Sequence, residues 1–330
     1  MTVVTATLNI IKAGRAELFK ESMNSIHAQT YTNIEHIIID GASTDGTLDL
    51  IQEYVDKGWV KCYSEPDIGF FDPYNKGILK AHGKYISFMS TDDMYAHNDA
   101  IRMSVEALEN EQADWSYGDT YLHNYETGKL VYWVGTTGFI PFGFFPCHQS
   151  LFVKKSVFKE LGLFDLKYKN EDNHYMMKMI AAGYKSVKVP TAVCVFREGG
   201  WSAKTANLVE GLHVEMFYNL FGKKLGLTQK ECASLYNQKC FYTLSPADFA
   251  KIGLKLQDKD WVKNYISKEP IPFFEISQKQ AEPQPVIKSS PVTVSKAYFC
   301  RLPLFKIKTK KGTSRITVFG LPVLKLKRRS

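Results

Sequence analysis

Apolar, β-branched runs alternate with amphipathic segments through the first third of the chain. Four short runs have the pattern of buried strands: Val3–Thr7, Glu35–Asp40, Trp59–Ser64 and Tyr85–Ser90. Four segments have apolar residues at helical spacing: Glu17–Gln29, Thr47–Tyr54, Asp72–Ala81 and Asn98–Asn110. Strands and helices that alternate through short turns predict an α/β fold, with a mostly parallel sheet and helices on both faces.

After Trp115 the pattern becomes mixed. Trp115–Leu122 and Lys129–Val134 predict a hairpin, and the glycine- and aromatic-rich Thr136–Pro146 predicts a loop over a site. Further strands are predicted at Ser150–Lys154 and Ser186–Val189. Further helices are predicted at Ser156–Leu161, Glu171–Ala182, Leu208–Phe221 and Gln229–Tyr242.

The remaining chain divides by composition. We predict an α/β domain at 1–205, a helical extension at 206–268, a proline-rich linker at 269–295 and a basic tail at 296–330. The tail contains an internal repeat, in which Leu302–Lys308 matches Leu321–Lys327. Apolar and basic residues alternate in both units, and this pattern predicts strands with one basic face.

Basic charge is concentrated in the C-terminal part of the chain, from the end of the linker through the tail. Residues 283–330 hold 12 Lys and Arg and no acidic residue, whereas residues 1–282 hold 30 basic and 34 acidic residues. The formal net charge of +8 therefore comes from the tail, and nucleic acid is not expected as a partner. The six cysteines form no CxxC motif and are expected to be reduced thiols. We find neither a signal peptide nor an apolar run of spanning length, so a soluble or peripheral cytoplasmic protein is expected.

Acidic and polar residues follow three of the predicted strands. Asp92 and Asp93 come directly after the strand YISFMS and form an oxygen-only pair suited to Mg²⁺ or Mn²⁺. Asp40 ends the second strand, where a carboxylate can accept hydrogen bonds from a base or a ribose, and Asn9 follows the first. The alternatives are a helix N-cap for the pair and turn capping for Asp40.

Two further segments carry candidate chemistry. The loop EPDIGFFDPYNKG places Gly69, Asp72, Asn75 and Lys76 at a helix entry, where amides and a lysine suit phosphate, although capping is the simpler reading. Asp172, with Glu171, begins a predicted helix and is a candidate general base; helix-dipole stabilisation is the alternative.

The segment CHQ, which follows the aromatic loop, offers His148 as a contact for phosphate or acceptor, and a structural histidine is the alternative. The chain contains no GxSxG elbow, no P-loop and no GxGxxG motif. These absences argue against a serine hydrolase, a P-loop NTPase and an NAD enzyme.

Taken together, the ordered motifs resemble those of the family 2 glycosyltransferases, inverting enzymes of the GT-A fold. The matching pieces cover residues 2 to about 203: VTATLN, IIIDGASTDGT, EPDIGFFDPYNKGI, AHGKYISFMSTDDMY, CHQSLFVKKSVFKELGLFD, the NED segment and FREGGWS. The resemblance implies a GT-A catalytic domain at 1–205, followed by C-terminal helices and a basic tail.

The resemblance also implies roles for individual residues. Asp40 would read uracil, Asp93 would ligate Mn²⁺ or Mg²⁺ directly with Asp92 beside it, and Asp172 would be the general base, with Glu171 as the fallback. Residues assigned to the donor are Thr5, Asn9, Asp40, Asp67, Gly69, Asp72, Asn75, Lys76 and Asp92. Residues assigned to acceptor or phosphate are His148, Gln149 and Trp201. Two positions depart from the family pattern: Lys178 stands where Arg is usual, and His174 where a second Asp is common.

The implied reaction is a single displacement. It transfers a hexose from a UDP-sugar to a hydroxyl of a glycan or a polyprenyl-diphosphate-linked acceptor, with inversion. The tail resembles those of bacterial enzymes of surface-polysaccharide and O-antigen assembly, which implies peripheral binding at the inner face of the cytoplasmic membrane. A solvated basic tail, or an added β-ribbon for oligomerisation, is the alternative. A sugar-1-phosphate nucleotidyltransferase and a non-catalytic nucleotide-sugar or membrane-binding protein are the competing functions.

Overall fold

The computed structural model describes most of the first 237 residues and several strands of the C-terminal part. The described residues are 1–124, 127–135, 145–168, 170–199, 210–223, 226–237, 273–275, 296–299, 302–310, 313–318 and 321–327.

Strands and helices follow each other as the sequence pattern predicts. The strands are β1 Thr2–Thr7, β2 Glu35–Asp40, β3 Lys61–Ser64, β4 Tyr85–Ser90, β5 Met94–Tyr95, β6 Trp115–Asn124, β7 Lys129–Trp133, β8 Phe152–Lys154, β9 Ser186–Arg197, β10 Phe273–Glu275, β11 Lys296–Phe299, β12 Leu302–Lys310, β13 Thr313–Val318 and β14 Leu321–Lys327. The helices are α1 Ala16–His27, α2 Thr47–Asp56, α3 Asp72–Lys80, α4 Ala100–Asn110, α5 Lys155–Leu161, α6 Glu171–Ala181, α7 Glu210–Phe217 and α8 Gln229–Asn237.

The main sheet is parallel in its first half and mixed in its second. Its order is β10-β7-β6-β8-β4-β1-β2-β3, with β9 beside β6 and β5 beside β9. The four strands β4, β1, β2 and β3 are parallel, because helices connect them. Beyond β4 the pairs β4–β8, β6–β8, β6–β7 and β10–β7 are antiparallel. The prediction of a mostly parallel sheet therefore holds for the first four strands and for the pair β6–β9, and the sheet is antiparallel at its other pairs.

Helices cover both faces of the sheet, as predicted. Successive residues of β2 point to opposite faces. Ile38 packs in a cluster with Phe19 of α1 and Ile51 of α2. Its neighbours Ile37 and Ile39 belong to the larger cluster on the other face, which α3, α5 and α6 help to build.

Element boundaries differ from the predictions where tertiary contacts intervene. β3 begins at Lys61 rather than Trp59, because the Trp59 amide closes the end of α2 and its ring stacks on His27 at 3.4 Å between centroids. β9 continues to Arg197 rather than ending at Val189, because it pairs with both β6 and β5. A short 3₁₀ turn occupies the first part of the predicted strand before β8.

The C-terminal strands form a second sheet of order β11-β12-β13-β14, antiparallel throughout. The two repeat units lie in β12 and β14, so both are strands, as their alternation predicts. Within the predicted linker, β10 pairs with β7 at the edge of the main sheet. The division into four domains stays a prediction. Among the helices that the structure describes, none has the length and apolar character needed to cross a bilayer.

Gly77 allows α3 to approach the sheet closely. A Cβ built on Gly77 would lie 2.2 Å from Cγ1 of Val4 in β1. Gly77→Ala is therefore expected to lower the free energy of unfolding by about 1–3 kcal/mol, the usual cost of overpacking a core. Denaturant titration checks this. Gly69→Ala is the matched control, because a Cβ at Gly69 meets no atom within 4 Å; equal losses in both variants would contradict the packing argument.

Candidate active site

The predicted acidic residues meet at one edge of the sheet. β4 and β2 flank β1 in parallel, so Asp40, at the end of β2, and Asp92 and Asp93, just after β4, lie at the same carboxyl edge. Ligands of open α/β sheets bind beyond this edge. The convergence expected from the sequence is confirmed.

Asp40 forms hydrogen bonds that connect the ends of three strands, β1, β2 and β3. Its carboxylate is fully buried and accepts hydrogen bonds from Thr7 Oγ1 at 3.0 Å, Ser43 N at 2.8 Å, Ser43 Oγ at 2.5 Å and Ser64 Oγ at 2.8 Å. Two carboxylate oxygens accept about four such bonds. The geometry therefore gives Asp40 an organising role for β1, β2 and β3, and its contact with uracil stays a prediction.

The loop between β3 and α3 is fixed by one lysine. Lys76 Nζ lies 2.8 Å from Asp67 Oδ1, 3.0 Å from Asp72 Oδ2 and 2.6 Å from the carbonyl oxygen of Pro66. Burial lowers the pKa of Lys76, but the hydrogen bonds to the two carboxylates outweigh it and raise the pKa overall. Asp67 Oδ2 also lies over Gly41, 2.6 Å from where a Cβ would stand. A phosphate at Lys76 would compete with two carboxylates.

Asn9 and Thr5, two other residues predicted to bind the donor, differ in position. Asn9 joins the loops after β1 and β2: it adopts a left-handed φ of 47°, and its Oδ1 accepts from Thr44 N at 3.0 Å. Thr5 lies two residues before the end of β1, and its hydroxyl bonds to His36 Nε2 at 2.9 Å in the interior. The structure thus places Asn9 at the strand edge and Thr5 within the core.

Asn75 holds the chain that follows α5. Its amide exchanges two hydrogen bonds with the backbone of Phe164, Nδ2 to the carbonyl and Oδ1 from the N–H, both at 2.9 Å. A contact between Asn75 and the donor, as predicted, would have to use the same buried amide that already binds the Phe164 backbone. Gly69, by contrast, has no atom within 4 Å of the position that a Cβ would occupy.

Asp92 forms an ion pair that the sequence analysis did not anticipate. Arg15 Nη1 bonds to Asp92 Oδ2, and Arg197 Nη1 donates to the Asp92 carbonyl oxygen at 2.8 Å. Burial raises the pKa of Asp92, although the charge of Arg15 opposes this.

Asp93 is turned inward. It is 1% exposed, its Oδ2 accepts from Gln149 Nε2 at 2.7 Å, and its Oδ1 accepts from Arg197 N at 2.7 Å. Burial, and then the charge of Asp92, raise the pKa of Asp93. In this geometry the carboxylate nearer solvent is that of Asp92, not that of Asp93, which the resemblance to the family favoured as the direct metal ligand.

The donor set fits a cation shared with substrate. Within the described residues, no group of three His, Cys, Asp or Glu side chains could hold a metal ion. Asp92 and Asp93 are adjacent oxygen donors, and Mg²⁺ is commonly held by one or two carboxylates together with substrate phosphates and water. The pair fits this mode, and it does not fit an all-protein cage.

The charges of three predicted acids act on one buried tyrosine. Tyr74, on α3, is 2% exposed and its hydroxyl bonds to Ser90. Burial raises the pKa of Tyr74, and the charges of Asp93, Asp92 and Asp172 raise it further. The candidate metal pair and the candidate base therefore act on the same buried side chain, although Asp172 lies about 80 residues further along the chain.

Asp172 lies in the first turn of α6, which begins at Glu171. Burial raises the pKa of Asp172 to about 6, against an opposing effect of hydrogen bonds from the Asn173 and Asp172 amides. Glu171 is 5% exposed, burial raises its pKa to about 7, and its Oε2 has no hydrogen-bond partner among the described residues. Both carboxyls have pKa values suited to proton transfer near neutral pH.

Lys178 and His174, the two residues that depart from the family pattern, form structural contacts. Lys178 Nζ donates to the Leu161 carbonyl oxygen at 2.8 Å and so closes the end of α5. His174 packs on Tyr168, with 4.1 Å between ring centroids, and burial lowers its pKa to about 4. Neither residue contacts the candidate base by a hydrogen bond in the structure.

The CHQ segment lies against the same site. His148 packs between Phe88 and Phe71, at 5.0 and 5.3 Å between centroids, and burial lowers its pKa to about 3, which keeps it neutral. Gln149 anchors Asp93 and also donates to Ser90 Oγ at 2.9 Å. The contact of either with acceptor or phosphate stays a prediction. Trp201 and most of Thr136–Pro146 lie outside the described residues.

Arg15 and Arg197 are the residues that sequence reasoning missed. Arg197 stands in the FREGGWS motif, so its motif was noticed but its contacts were not. Arg15 carries no such signal, because its partner Asp92 is 77 positions away in the chain.

A parallel sheet that ends in acidic residues, with an antiparallel extension and helices on both faces, is the architecture that the resemblance to GT-A glycosyltransferases implies. The profile of Glycosyl transferase family 2 matches residues 2–179. This is more than half of the chain, which therefore belongs to that family of transferases.

Three relatives of this chain are described as glycosyltransferases. The chain is 27% identical over 173 residues to a PGL/p-HBAD biosynthesis glycosyltransferase of Mycobacterium bovis. The match covers 51% of this chain and 64% of that relative, so it spans less than two thirds of the relative's length. It is 26% identical over 212 residues to an uncharacterized glycosyltransferase of Mycobacterium tuberculosis, with 61% and 76% covered. It is 27% identical over 119 residues to the putative teichuronic acid biosynthesis glycosyltransferase TuaG of Bacillus subtilis, with 36% and 45% covered.

Solved structures share the fold. S. aureus TarS 1-349 in complex with UDP-GlcNAc has a TM-score of 0.57 at 16% identity, over 80% of this chain and 78% of that chain. The mannosyltransferase PcManGT of Pyrobaculum calidifontis, in complex with GDP-Man and Mn²⁺, has a TM-score of 0.51 at 18% identity, over 80% and 82%. At these identities the likeness shows the fold alone, and it confirms the predicted GT-A class.

Proposed function

We propose that the protein is an inverting hexosyltransferase that uses a nucleotide sugar, with a UDP-sugar as the donor. The observation that carries the proposal is the convergence of Asp40, Asp92 and Asp93 at the carboxyl edge of the sheet, with the charge of Asp172 acting on the same buried tyrosine, Tyr74, as the acidic pair. An acidic pair and a separate carboxylate base are the two parts that a single displacement requires.

In the proposed mechanism, Asp172 accepts the proton of the acceptor hydroxyl. The oxygen then attacks the anomeric carbon from the face opposite the nucleotide, which inverts the configuration. Asp92, with Asp93 behind it, would hold Mn²⁺ or Mg²⁺, and a bound cation supplies positive charge to the departing diphosphate. Gln149 and Arg197 fix the position of Asp93 through hydrogen bonds to both of its carboxylate oxygens.

Two solved neighbours support the choice of donor class. TarS was crystallised with UDP-GlcNAc, and PcManGT with GDP-Man and Mn²⁺. The uracil role of Asp40 favours uridine over guanosine in our proposal, with Asp67 and Gly69 on the donor side of the site.

Nucleotide binding tests the donor. UDP with Mn²⁺ is expected to raise the midpoint of thermal unfolding, whereas UDP alone, GDP, CMP and dTDP give smaller shifts. At a UDP concentration of about 100 Kd, binding stabilises the native state by about 2.7 kcal/mol. A larger shift with GDP would overturn the donor but not the enzyme class. No shift with any nucleotide would overturn the proposal.

We further propose a polyprenyl-diphosphate-linked or glycan acceptor, in the assembly of a surface polysaccharide such as O-antigen, at the inner face of the cytoplasmic membrane. The named roles of two relatives, PGL/p-HBAD and teichuronic acid biosynthesis, support a cell-envelope product. The charge of the C-terminal part supports membrane contact, because residues 283–330 hold 12 Lys and Arg and no acidic residue. Basic residues close to an anionic leaflet are attracted to it.

Vesicle binding tests this part. Charge reversal of Lys308, Arg315 and Lys325 to Glu is expected to weaken binding to vesicles with anionic lipid by about 100-fold, at about 1 kcal/mol per basic residue near the surface. Sedimentation with vesicles measures it. The control reverses three exposed lysines of the described body, Lys57, Lys159 and Lys230. Equal binding by wild type and the tail variant would contradict membrane contact and leave oligomerisation as the role of the tail.

A further inference from the structure

Arg15 occupies the solvent side of the candidate cation site. It is the residue before α1, and its guanidinium bonds to Asp92 Oδ2. The Arg15 side chain is 28% exposed and the Asp92 side chain 11%, so the pair is reached by solvent and is not part of the core. The positive charge of Arg15 stands where a cation bound to Asp92 would need to be.

The two arginines at the site are held very differently. Arg197 is fixed by three groups: its N–H bonds to Asp93, its Nη1 to the Asp92 carbonyl oxygen and its Nη2 to Glu21. Its side chain is 6% exposed. The Arg15 guanidinium, among the described residues, has Asp92 as its hydrogen-bond partner. Arg197 is therefore part of the framework, whereas Arg15 can leave by a change of side-chain rotamer.

Hydrogen bonds fix the backbone of the loop that carries Arg15, so only its side chain has to move. Arg15 N bonds to the Ile10 carbonyl oxygen at 2.9 Å, and Ala13 N bonds to the Asn9 carbonyl oxygen at 3.0 Å. The loop lies at the same carboxyl edge as Asp40 and Asp92, where the nucleotide of the proposed function would lie. Guanidinium groups bind phosphate through two parallel hydrogen bonds, so a diphosphate offers Arg15 a partner as good as a carboxylate.

We propose that Arg15 is the resident counter-ion of Asp92 and exchanges this carboxylate for the donor diphosphate when the divalent cation binds. The inference rests on the proposed function, since it needs a nucleotide diphosphate in the cleft. The exchange couples the binding of the cation to the binding of the nucleotide. Without nucleotide, a cation that binds Asp92 must displace Arg15 into water, whereas with nucleotide the displaced Arg15 binds the diphosphate. By linkage, the cation and UDP strengthen each other's binding by the same factor.

Binding of Mn²⁺ to the full chain tests the exchange, with the signal of free Mn²⁺ in electron paramagnetic resonance as the readout. Without nucleotide, Arg15→Met is expected to bind Mn²⁺ about tenfold more tightly than wild type, within the usual range of coupling between sites. Addition of UDP is expected to tighten Mn²⁺ binding by wild type more than by Arg15→Met. Arg15→Lys keeps the charge and is expected to follow wild type. Arg102→Met is the matched control, because Arg102 pairs with Asp99 and Glu106 on α4.

The outcomes separate this inference from the proposed function. If UDP-dependent Mn²⁺ binding is present and Arg15→Met equals wild type with and without UDP, the counter-ion role is wrong and the proposed function stands. If no variant binds Mn²⁺ even with UDP, both are wrong. If Arg15→Met does not fold, by circular dichroism, Arg15→Gln replaces it, with the same tightening expected and the same equality with wild type overturning the role.

Discussion

Asp172→Asn is expected to lower kcat by about 10³-fold, the middle of the range for loss of a general base. The amide cannot take the proton of the acceptor hydroxyl, but it keeps the size of the side chain and its place in the first turn of α6. Binding of UDP with Mn²⁺, followed by thermal shift, is expected to stay unchanged. Glu171→Gln is the matched control on the neighbouring residue, and its kcat should fall by less than about tenfold.

The pH dependence gives a second, independent readout of the same base. Burial raises the pKa of Asp172 to about 6, and only the deprotonated carboxylate can accept a proton. The value of kcat/KM is therefore expected to rise with pH through about 6 in wild type and to lose this rise in Asp172→Asn. If Glu171→Gln removes both the activity and the rise while Asp172→Asn retains them, Glu171 is the base instead.

Asp92→Asn is expected to lower metal-dependent turnover by about 10³-fold, because stabilisation of the leaving group by a cation is worth several kcal/mol. The structure distinguishes this residue from its neighbour. Asp92 is reached by solvent together with Arg15, whereas both oxygens of Asp93 accept hydrogen bonds from Gln149 and Arg197. Asp92→Asn should therefore leave the thermal midpoint nearly unchanged, while Asp93→Asn should also lower it.

Assays over a range of Mn²⁺ concentration check this pair of variants. A rise in the Mn²⁺ concentration needed for half-maximal turnover of Asp92→Asn would support direct ligation by Asp92. If Asp92→Asn keeps wild-type turnover and Mn²⁺ dependence, and Asp93→Asn loses both without loss of stability, Asp93 is the direct ligand, as the resemblance to the family implies.

The parallel half of the sheet was predictable because its signals are local. Each of β1, β2 and β4 is a short apolar run, and the residue at which β2 ends, Asp40, is the residue predicted. The convergence of Asp40 with Asp92 and Asp93 then follows from topology, since parallel strands end at a common edge. The start of β3 and the length of β9 were not predictable from local signals. Trp59 stacks on His27 and is not part of β3, and β9 is longer because it pairs with both β5 and β6.

The sequence by itself determined the α/β class, the order of the elements and the edge of the sheet at which the acidic residues meet. Only the tertiary structure decided what each side chain does there. It engages Asn75 with the Phe164 backbone, turns Asp93 toward Gln149 and pairs Arg15 with Asp92. The physical reason is range: hydrophobic periodicity and turn residues act over a few positions, whereas these contacts join residues 56 to 89 positions apart, which only packing brings together.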